Sequence, residues 1–532
     1  MTTGKAGLTR RQVLTLIGGA GVAAATAGCG NGNNGGNGGN GGNGGNGGNG
    51  GGGGPSAAPA AGRATVPLHY ESLLSVAARI QAQEISPVAL TNAMIGRVQD
   101  LEGSLKAYAT VTSVAAVESA MRAEAEIAAG NYRGPLHGVP VAVKDLCYTA
   151  GVPTMGGMAV YRDFVPEYDA TVVARLKAAG AVLVGKLNLT EGAMAGYHPS
   201  FEVPRNPWDP DLWPGVSSSG SGVATAAGLC FGSLGSDTGG SIRFPAQANG
   251  IVGLKPTYGR VSRYGVIPLA ESLDHVGPMT RRVADAAAML QVIGGPDPND
   301  PTTLDEPVPD LFAGIDAGVK GLRIGYDEAF ATEGVDPRLA SAIQDALGQL
   351  AALGAEIVDV TMPAGSTGLA DPWSAIAAAE ALEAHSEFYP ERADEFGPFF
   401  REFLQAGAAL TEEQLAAARA FRADYATRMN ALLGTVDAIA MPAGNPPMPV
   451  TEEIQRGGME GFEPLAEELK QYFAVPANFS GAPALTLPCG FTEDGVPLGM
   501  QFMAVPRGEA MLCRIGHAYE GATGWHDRHP EI

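Results

Sequence analysis

Three features of the sequence have the makings of nucleophilic chemistry at a carbonyl: a serine behind two glycines, a serine-rich loop upstream of it, and a lysine at the end of an apolar run. Ser241 closes the stretch Asp237-Thr238-Gly239-Gly240-Ser241. Paired glycines leave backbone N–H groups exposed beside its hydroxyl, the nest a developing oxyanion needs. Gly-Gly-Ser is also ordinary loop composition, so this feature alone decides little. Ser217, Ser218 and Ser219 follow Pro214-Gly215-Val216 and lead into an Ala-rich segment. A hydroxyl there can shuttle protons or can simply cap the helix that follows. Lys144 ends the run Val139-Pro140-Val141-Ala142-Val143. Burial at that position would lower its pKa and yield a neutral amine, a competent general base. An ion pair with Asp145 is the alternative reading.

These residues need elements to hold them. Ser86 and Pro87 stand before an apolar stripe of Val88, Leu90, Met94, Ile95 and Val98, an N-cap, a first-turn proline and a buried face in the order a helix requires. Residues 139–143 read as a short buried strand, 171–179 as a helix and 181–184 as a second strand, the alternation of an α/β domain. Lys144 then sits at a strand's C-terminal end, where open α/β sheets bind ligands. Further strands are predicted at residues 322–325, 357–360, 438–441 and 484–487. Residues 370–433, rich in Ala, Leu and Glu, read as largely helical, with a capped start at Thr411-Glu412-Glu413-Gln414. From Trp213 to Pro256 glycine, serine and alanine crowd together, which predicts close backbone approach and tight turns.

Taken together, Pro214 to Thr257, with Gly235-Ser236-Asp237-Thr238-Gly239-Gly240-Ser241-Ile242-Arg243-Phe244-Pro245-Ala246 inside it, closely resembles the amidase signature family. The resemblance extends to Gly138 through Asp145, Gly185 through Glu191, Gly265 through Pro268, Ser272 through Pro278, Val475 through Ala484 and Gly495 through Gln501, spread over most of residues 65–525. It implies an α/β fold with a large mixed β-sheet core covered on both sides by helices. It also implies hydrolysis of carboxylic acid amides to acid and ammonia or amine through a serine acyl-enzyme, with no cofactor and no metal. By the same resemblance Ser241 is the nucleophile, Ser217 the bridging serine after a cis peptide bond and Lys144 the base. The backbone N–H groups of Thr238, Gly239, Gly240 and Ser241 would form the oxyanion hole, with Ser218, Asp237 and Arg243 in support. Val216 stands where the family usually has glycine.

The ends carry a different message. Arg10-Arg11 precede an apolar run from Val13 to Ala27, too short for a comfortable bilayer span, and small residues lead to Cys29. The segment resembles a twin-arginine export signal ending in a lipobox, which predicts lipidation of Cys29 and a position at the outer face of a bacterial membrane. Thr26 departs from that box, which usually opens with a large aliphatic residue. Residues 30–54 are almost wholly Gly and Asn, a flexible tether spanning roughly 25–30 Å. The domain plan is therefore a signal at 1–29, a tether at 30–54 and a catalytic body at 55–532.

A net charge of −22, without a basic run in the body, argues against a nucleic-acid partner. Cys147, Cys230, Cys489 and Cys513 are widely spaced without a CxxC pair and read as small core residues. The expected partner is a small-molecule or peptide amide. Three rival readings stand beside this one. A Ser-His-Asp esterase would draw on Asp274 and His275, but adjacent residues rarely point at each other productively. The glutaminase subunit of a tRNA-dependent amidotransferase shares the Asp237 to Ser241 motif, although Phe244 stands where those subunits more often have glutamine, and an export signal separates the chain from tRNA. A solute-binding lipoprotein without chemistry would have no need of Lys144, Ser217 and Ser241 together. His137 reads as a hydrogen-bonded structural histidine.

Overall fold

The computed structural model describes residues 66–532. The signal and the tether expected at residues 1–54 lie outside the described residues. Eleven strands form one mixed sheet. In chain order they are β1 (Tyr108–Val111), β2 (Pro140–Lys144), β3 (Val182–Leu187), β4 (Gly232–Asp237), β5 (Val252–Lys255), β6 (His275–Thr280), β7 (Arg323–Tyr326), β8 (Glu356–Asp359), β9 (Ala438–Pro442), β10 (Ala484–Phe491) and β11 (Pro497–Met503). Their order across the sheet is β1-β3-β2-β4-β6-β5-β10-β11-β9-β7-β8. β2 runs parallel to both β3 and β4, and β7 parallel to β8 and β9, whereas the remaining pairs are antiparallel.

Every residue of β2, β4, β5, β6, β9 and β11 is buried, so helices and loops cover both faces of the sheet's centre. The sequence accounts for the four strands expected in the second half of the chain, which appear within a residue or two of their predicted bounds, β10 running longer. The helix Pro87–Leu105 starts where the pattern placed it, with Ser86 Oγ accepting from Ala89 N at 3.0 Å. Residues 370–433 hold the helices Ala370–Ala384, Pro398–Ala409 and Glu412–Leu433. The last opens with a capping box between Thr411 and Gln414.

Five strands have no counterpart in the sequence-based expectation: β1, β4, β5, β6 and β11. β4, Gly-Ser-Leu-Gly-Ser-Asp, lacks the β-branched and aromatic residues that mark strands. Its small residues are a packing requirement. A Cβ on Gly232 would lie 2.5 Å from Met289 Sδ, and one on Gly235 would lie 2.9 Å from Ser218 Oγ. The crowding of small residues thus lets the helix Ser219–Ala226 lie close on β4 and places Ser218 against the strand's end. The four body cysteines are buried core residues with reduced thiols, as their spacing suggested.

Candidate active site

Lys144 is the last residue of β2, wholly buried, with its amine in a ring of hydroxyls. Nζ donates to Ser217 Oγ at 2.7 Å, to Ser218 Oγ at 2.9 Å and to Ser236 Oγ at 2.8 Å. Burial pulls its pKa down to about 7, against the opposing pull of Cys147, Asp274 and Asp237, so a substantial neutral fraction exists near neutral pH. The alternative of an ion pair with Asp145 does not form. Asp145 instead pairs with the buried Lys186 at 3.0 Å and accepts from Met155 N, leaving the Lys144 amine free for the serines.

The serine loop contributes two of those hydroxyls. Ser217 follows a cis peptide bond after Val216, where the family resemblance placed one. Ser218 is the N-cap residue of the helix Ser219–Ala226, yet its side chain makes no capping bond. It accepts from Lys144 and from Ser236 N at 3.2 Å and donates to Ser236 O at 3.1 Å. The simple capping reading of this loop is thereby displaced. Gly215 can approach the helix Arg243–Ala248 because it lacks a Cβ, which would lie 2.3 Å from Pro245 Cα.

Between β4 and the helix Arg243–Ala248 lies the glycine turn, held from beneath by one buried ion pair. Asp237 accepts from Gly240 N at 2.9 Å and Ile242 N at 3.1 Å and takes Arg243 bidentately at 2.9 and 3.0 Å. Arg243 directs its other donors to Ala474 O, Gln501 Oε1 and Asn478 Oδ1. Burial alone would raise the Asp237 pKa, but the charge and hydrogen bonds of Arg243, with help from Lys255 and Asn478, outweigh it and keep the carboxylate well below its usual range.

Gly240 is a correction to the expected oxyanion hole. Its N–H is committed to Asp237 Oδ1, so it holds the turn instead of facing a ligand. Its φ of 123° and the 2.3 Å that would separate a Cβ from the Phe244 ring explain why glycine stands there. The N–H groups of Thr238, Gly239 and Ser241 have no hydrogen-bond partner among the described residues, and these three residues line a cavity that Gly240 does not reach. Ser241 is half-buried, and its hydroxyl makes no hydrogen bond among the described residues.

That cavity, about 50 Å³, is walled by Val216, Phe244, Trp373, Phe399, Phe462 and Leu469, and among the described residues no charged side chain lines it. Trp373 donates through Nε1 to Thr238 O at 2.9 Å and backs Gly239, whose Cβ would lie 2.7 Å from the indole. Phe399 sits on the helix Pro398–Ala409, whose N-cap Gly397 donates to the buried Glu191 carboxyl at 2.9 Å. Residues 370–470 therefore supply much of the wall.

Several supporting residues escape sequence reasoning. Ser236, Asn478 and Gln501 all lie in stretches that match the family, but no local chemistry marks them out. Asp274 holds the turn from the side: it accepts from Thr238 Oγ1 at 2.5 Å and from the N–H groups of Leu269 and Ala270. Burial outweighs those bonds and raises its pKa to about 6. His275 Nδ1 faces the carbonyls of Leu273 and Asp237, at 2.7 and 3.1 Å. Asp274 and His275 are thus engaged with the backbone around the turn, and the Ser-His-Asp alternative has no support. His137 takes the structural place expected of it, Nδ1 accepting from Arg133 N at 3.1 Å.

A half-buried serine hydroxyl, three backbone N–H groups without partners among the described residues and a desolvated lysine among serines are the groups that acyl transfer to a serine with a lysine base requires. The family model described as Amidase matches residues 89–513. A Mycobacterium tuberculosis protein whose name, AmiD, places it among amidases is 45% identical over 469 residues, covering 86% of this chain and 96% of its own. A glutamyl-tRNA(Gln) amidotransferase subunit from Myxococcus xanthus is 41% identical over 472 residues, covering 84% of this chain and 96% of its own. The crystal structure of the native peptide amidase from Stenotrophomonas maltophilia superposes with a TM-score of 0.76 at 31% identity, over 86% of this chain and 98% of that one. The chain belongs to the amidase signature family.

Proposed function

We propose that this amidase cleaves neutral amides with apolar acyl groups, using Ser241 as nucleophile, Ser217 as proton relay and Lys144 as base, and that it does so outside the cytoplasm on a lipid anchor. The observation that carries the reading is the buried Lys144 amine, 2.7 Å from Ser217 Oγ, with its pKa brought down to about 7. Neutral Lys144 takes the proton of Ser217, which takes that of Ser241, whose oxygen adds to the amide carbonyl. The tetrahedral oxyanion is met by the N–H groups of Thr238, Gly239 and Ser241. Collapse breaks the C–N bond, and the proton held by Lys144 returns through Ser217 to the leaving amine. Water then adds to the acyl ester by the same relay and frees the acid.

The cavity argues for the substrate class. Its wall is apolar and uncharged, so an aliphatic or aryl acyl group gains by burial there. Glutamine would carry an ammonium and a carboxylate into a space with no charged partner, a large desolvation cost. Phe244, which lines that wall, supports an amidase over the glutaminase of a tRNA-dependent amidotransferase. The test is a panel of aliphatic and aryl amides, C-terminally amidated peptides and L-glutamine, followed by ammonia release for wild type and Ser241→Ala. Turnover of apolar amides that disappears in the variant is expected. Preferential turnover of glutamine would favour the glutaminase reading, and binding without turnover the solute-binding one.

Export and anchoring rest on sequence: Arg10-Arg11 ahead of the apolar run, Cys29 after small residues, and a Gly/Asn tether at 30–54 before the body at 55–532. An enzyme so placed meets amides arriving from outside the cell, with the tether giving its cavity access to solvent rather than to lipid.

A further inference from the structure

Among the described residues, the wall of the substrate cavity is apolar apart from three side chains, Thr238, Ser241 and Gln471. Ser241 is the proposed nucleophile, and Thr238 Oγ1 gives its proton to Asp274 at 2.5 Å. Gln471 differs from both. Its carboxamide makes no hydrogen bond among the described residues, so a carbonyl oxygen and two N–H groups remain for a ligand. Ser241, Ala466 and Gln471 are half-buried where the other lining residues are buried, which sets the mouth of the cavity beside these three.

The position of Gln471 is fixed by the same groups that hold the glycine turn. It opens the 3₁₀ turn Gln471–Phe473, directly after Lys470 ends the helix Met459–Leu469 with a φ of 50°. Phe473 O accepts from Gln501 Nε2 at 2.7 Å, and Ala474 O accepts from Arg243 Nη1 at 2.8 Å. Arg243 in turn holds Asp237, which accepts from Gly240 N. A carboxamide so placed keeps a set position relative to Ser241, which is what reading a substrate requires.

The best answer to a carboxamide is another amide, which returns a C=O and an N–H side by side. An ammonium or a carboxylate would instead bring a charge to a cavity lined by no charged side chain among the described residues. We propose that Gln471 is a specificity-determining residue: its carboxamide pairs with a second, neutral amide on the acyl side of the substrate, while Phe399, Phe462 and Leu469 receive an apolar side chain. The preferred substrates are then N-acylated amino-acid amides with aliphatic side chains. Hydrolysis of the primary amide consumes one water and releases ammonia and the N-acylated amino acid, and the second amide is bound and left intact. Ammonia needs no pocket of its own, so the mouth is left to the N-acyl arm. This narrows the class of apolar amides and rests on Ser241 being the nucleophile in this cavity.

The test is a cycle of two substrates and two proteins. N-acetyl-L-leucinamide and 4-methylpentanamide differ only in the acetamido group, and Gln471→Met keeps the length of the glutamine side chain without its polar atoms. Wild type is expected to favour N-acetyl-L-leucinamide in kcat/KM, and the ratio between the two substrates should fall about fivefold to fiftyfold in Gln471→Met. Gln471→Glu supplies a gain that misfolding cannot mimic. Near neutral pH its carboxylate should speed turnover of L-leucinamide, whose free ammonium meets no charged partner in the wild-type cavity, severalfold over wild type. A ratio that stays the same in Gln471→Met, a wild type that prefers 4-methylpentanamide, or a Gln471→Glu variant that gains nothing on L-leucinamide would overturn the proposal. Failure of the underlying reading has a different signature, namely activity on either amide retained by Ser241→Ala.

Discussion

At the scale of residues, the proposed catalysis turns on the protonation of one amine. Among the described residues Lys144 has no carboxylate within ion-pair distance, and its neighbours are neutral hydroxyls that tolerate either charge state. Since its folded pKa is brought down to about 7, the base-competent form is lost as pH falls through that value, so kcat/KM should show an acid limb centred there. Lys144→Ala should abolish the limb and lower kcat/KM by about 10²–10⁴-fold. Lys144→Arg should not rescue it, because a guanidinium does not deprotonate at these pH values. Steady-state rates across neutral pH for the three proteins check both points. A Lys144→Ala variant with the wild-type acid limb would assign the titration to another group, Asp274 at about 6 being the obvious one.

At the scale of elements, the glycine turn is a short link between β4 and the helix Arg243–Ala248, and the Asp237–Arg243 pair is what gives it a fixed shape. Both partners are fully buried, so removing one strands the other's charge. Arg243→Met is expected to cost about 3–5 kcal/mol of stability, and the Asp237→Leu/Arg243→Met double variant less than the sum of the two singles. Denaturant unfolding of the single and double variants measures the coupling, and additive losses would show that the turn is held by something else. The elements also show what the sequence can and cannot reveal. β2 and β9 are legible because continuous apolar runs mark buried strands. β4 is not, because its glycines and serines are chosen for the close approach of the helix Ser219–Ala226, and strand propensity is sacrificed to that contact. Lys144, Ser217 and Ser241 can be named from motifs. Ser236 and Asp274 cannot, because their roles arise only where β4 meets β6 and the turn folds back. Gly240 cannot be assigned from its motif because its N–H direction depends on where the Asp237 carboxylate ends up.

At the scale of the whole molecule, the sheet presents the reactive groups and the helices of residues 370–469 close an apolar wall over them, with Trp373, Phe399 and Phe462 contributed from three separate helices. The body should therefore work without residues 1–54. A chain beginning at residue 55 should turn over amides as the full-length protein does, whereas Cys29→Ser in the producing cell should move the full-length chain from the membrane fraction to the soluble fraction. Fractionation with activity assays tests this, and a Cys29→Ser protein that stays with membranes would argue for an uncleaved N-terminal anchor. All scales meet in the covalent event proposed at Ser241. The most direct measurement is to react the body with a fluorophosphonate and locate the adduct by peptide mass spectrometry in wild type, Ser241→Ala and Lys144→Ala. The account predicts a single adduct on Ser241, none in Ser241→Ala and markedly slower labelling in Lys144→Ala. An adduct on another serine, or undiminished labelling of Ser241→Ala, would contradict it.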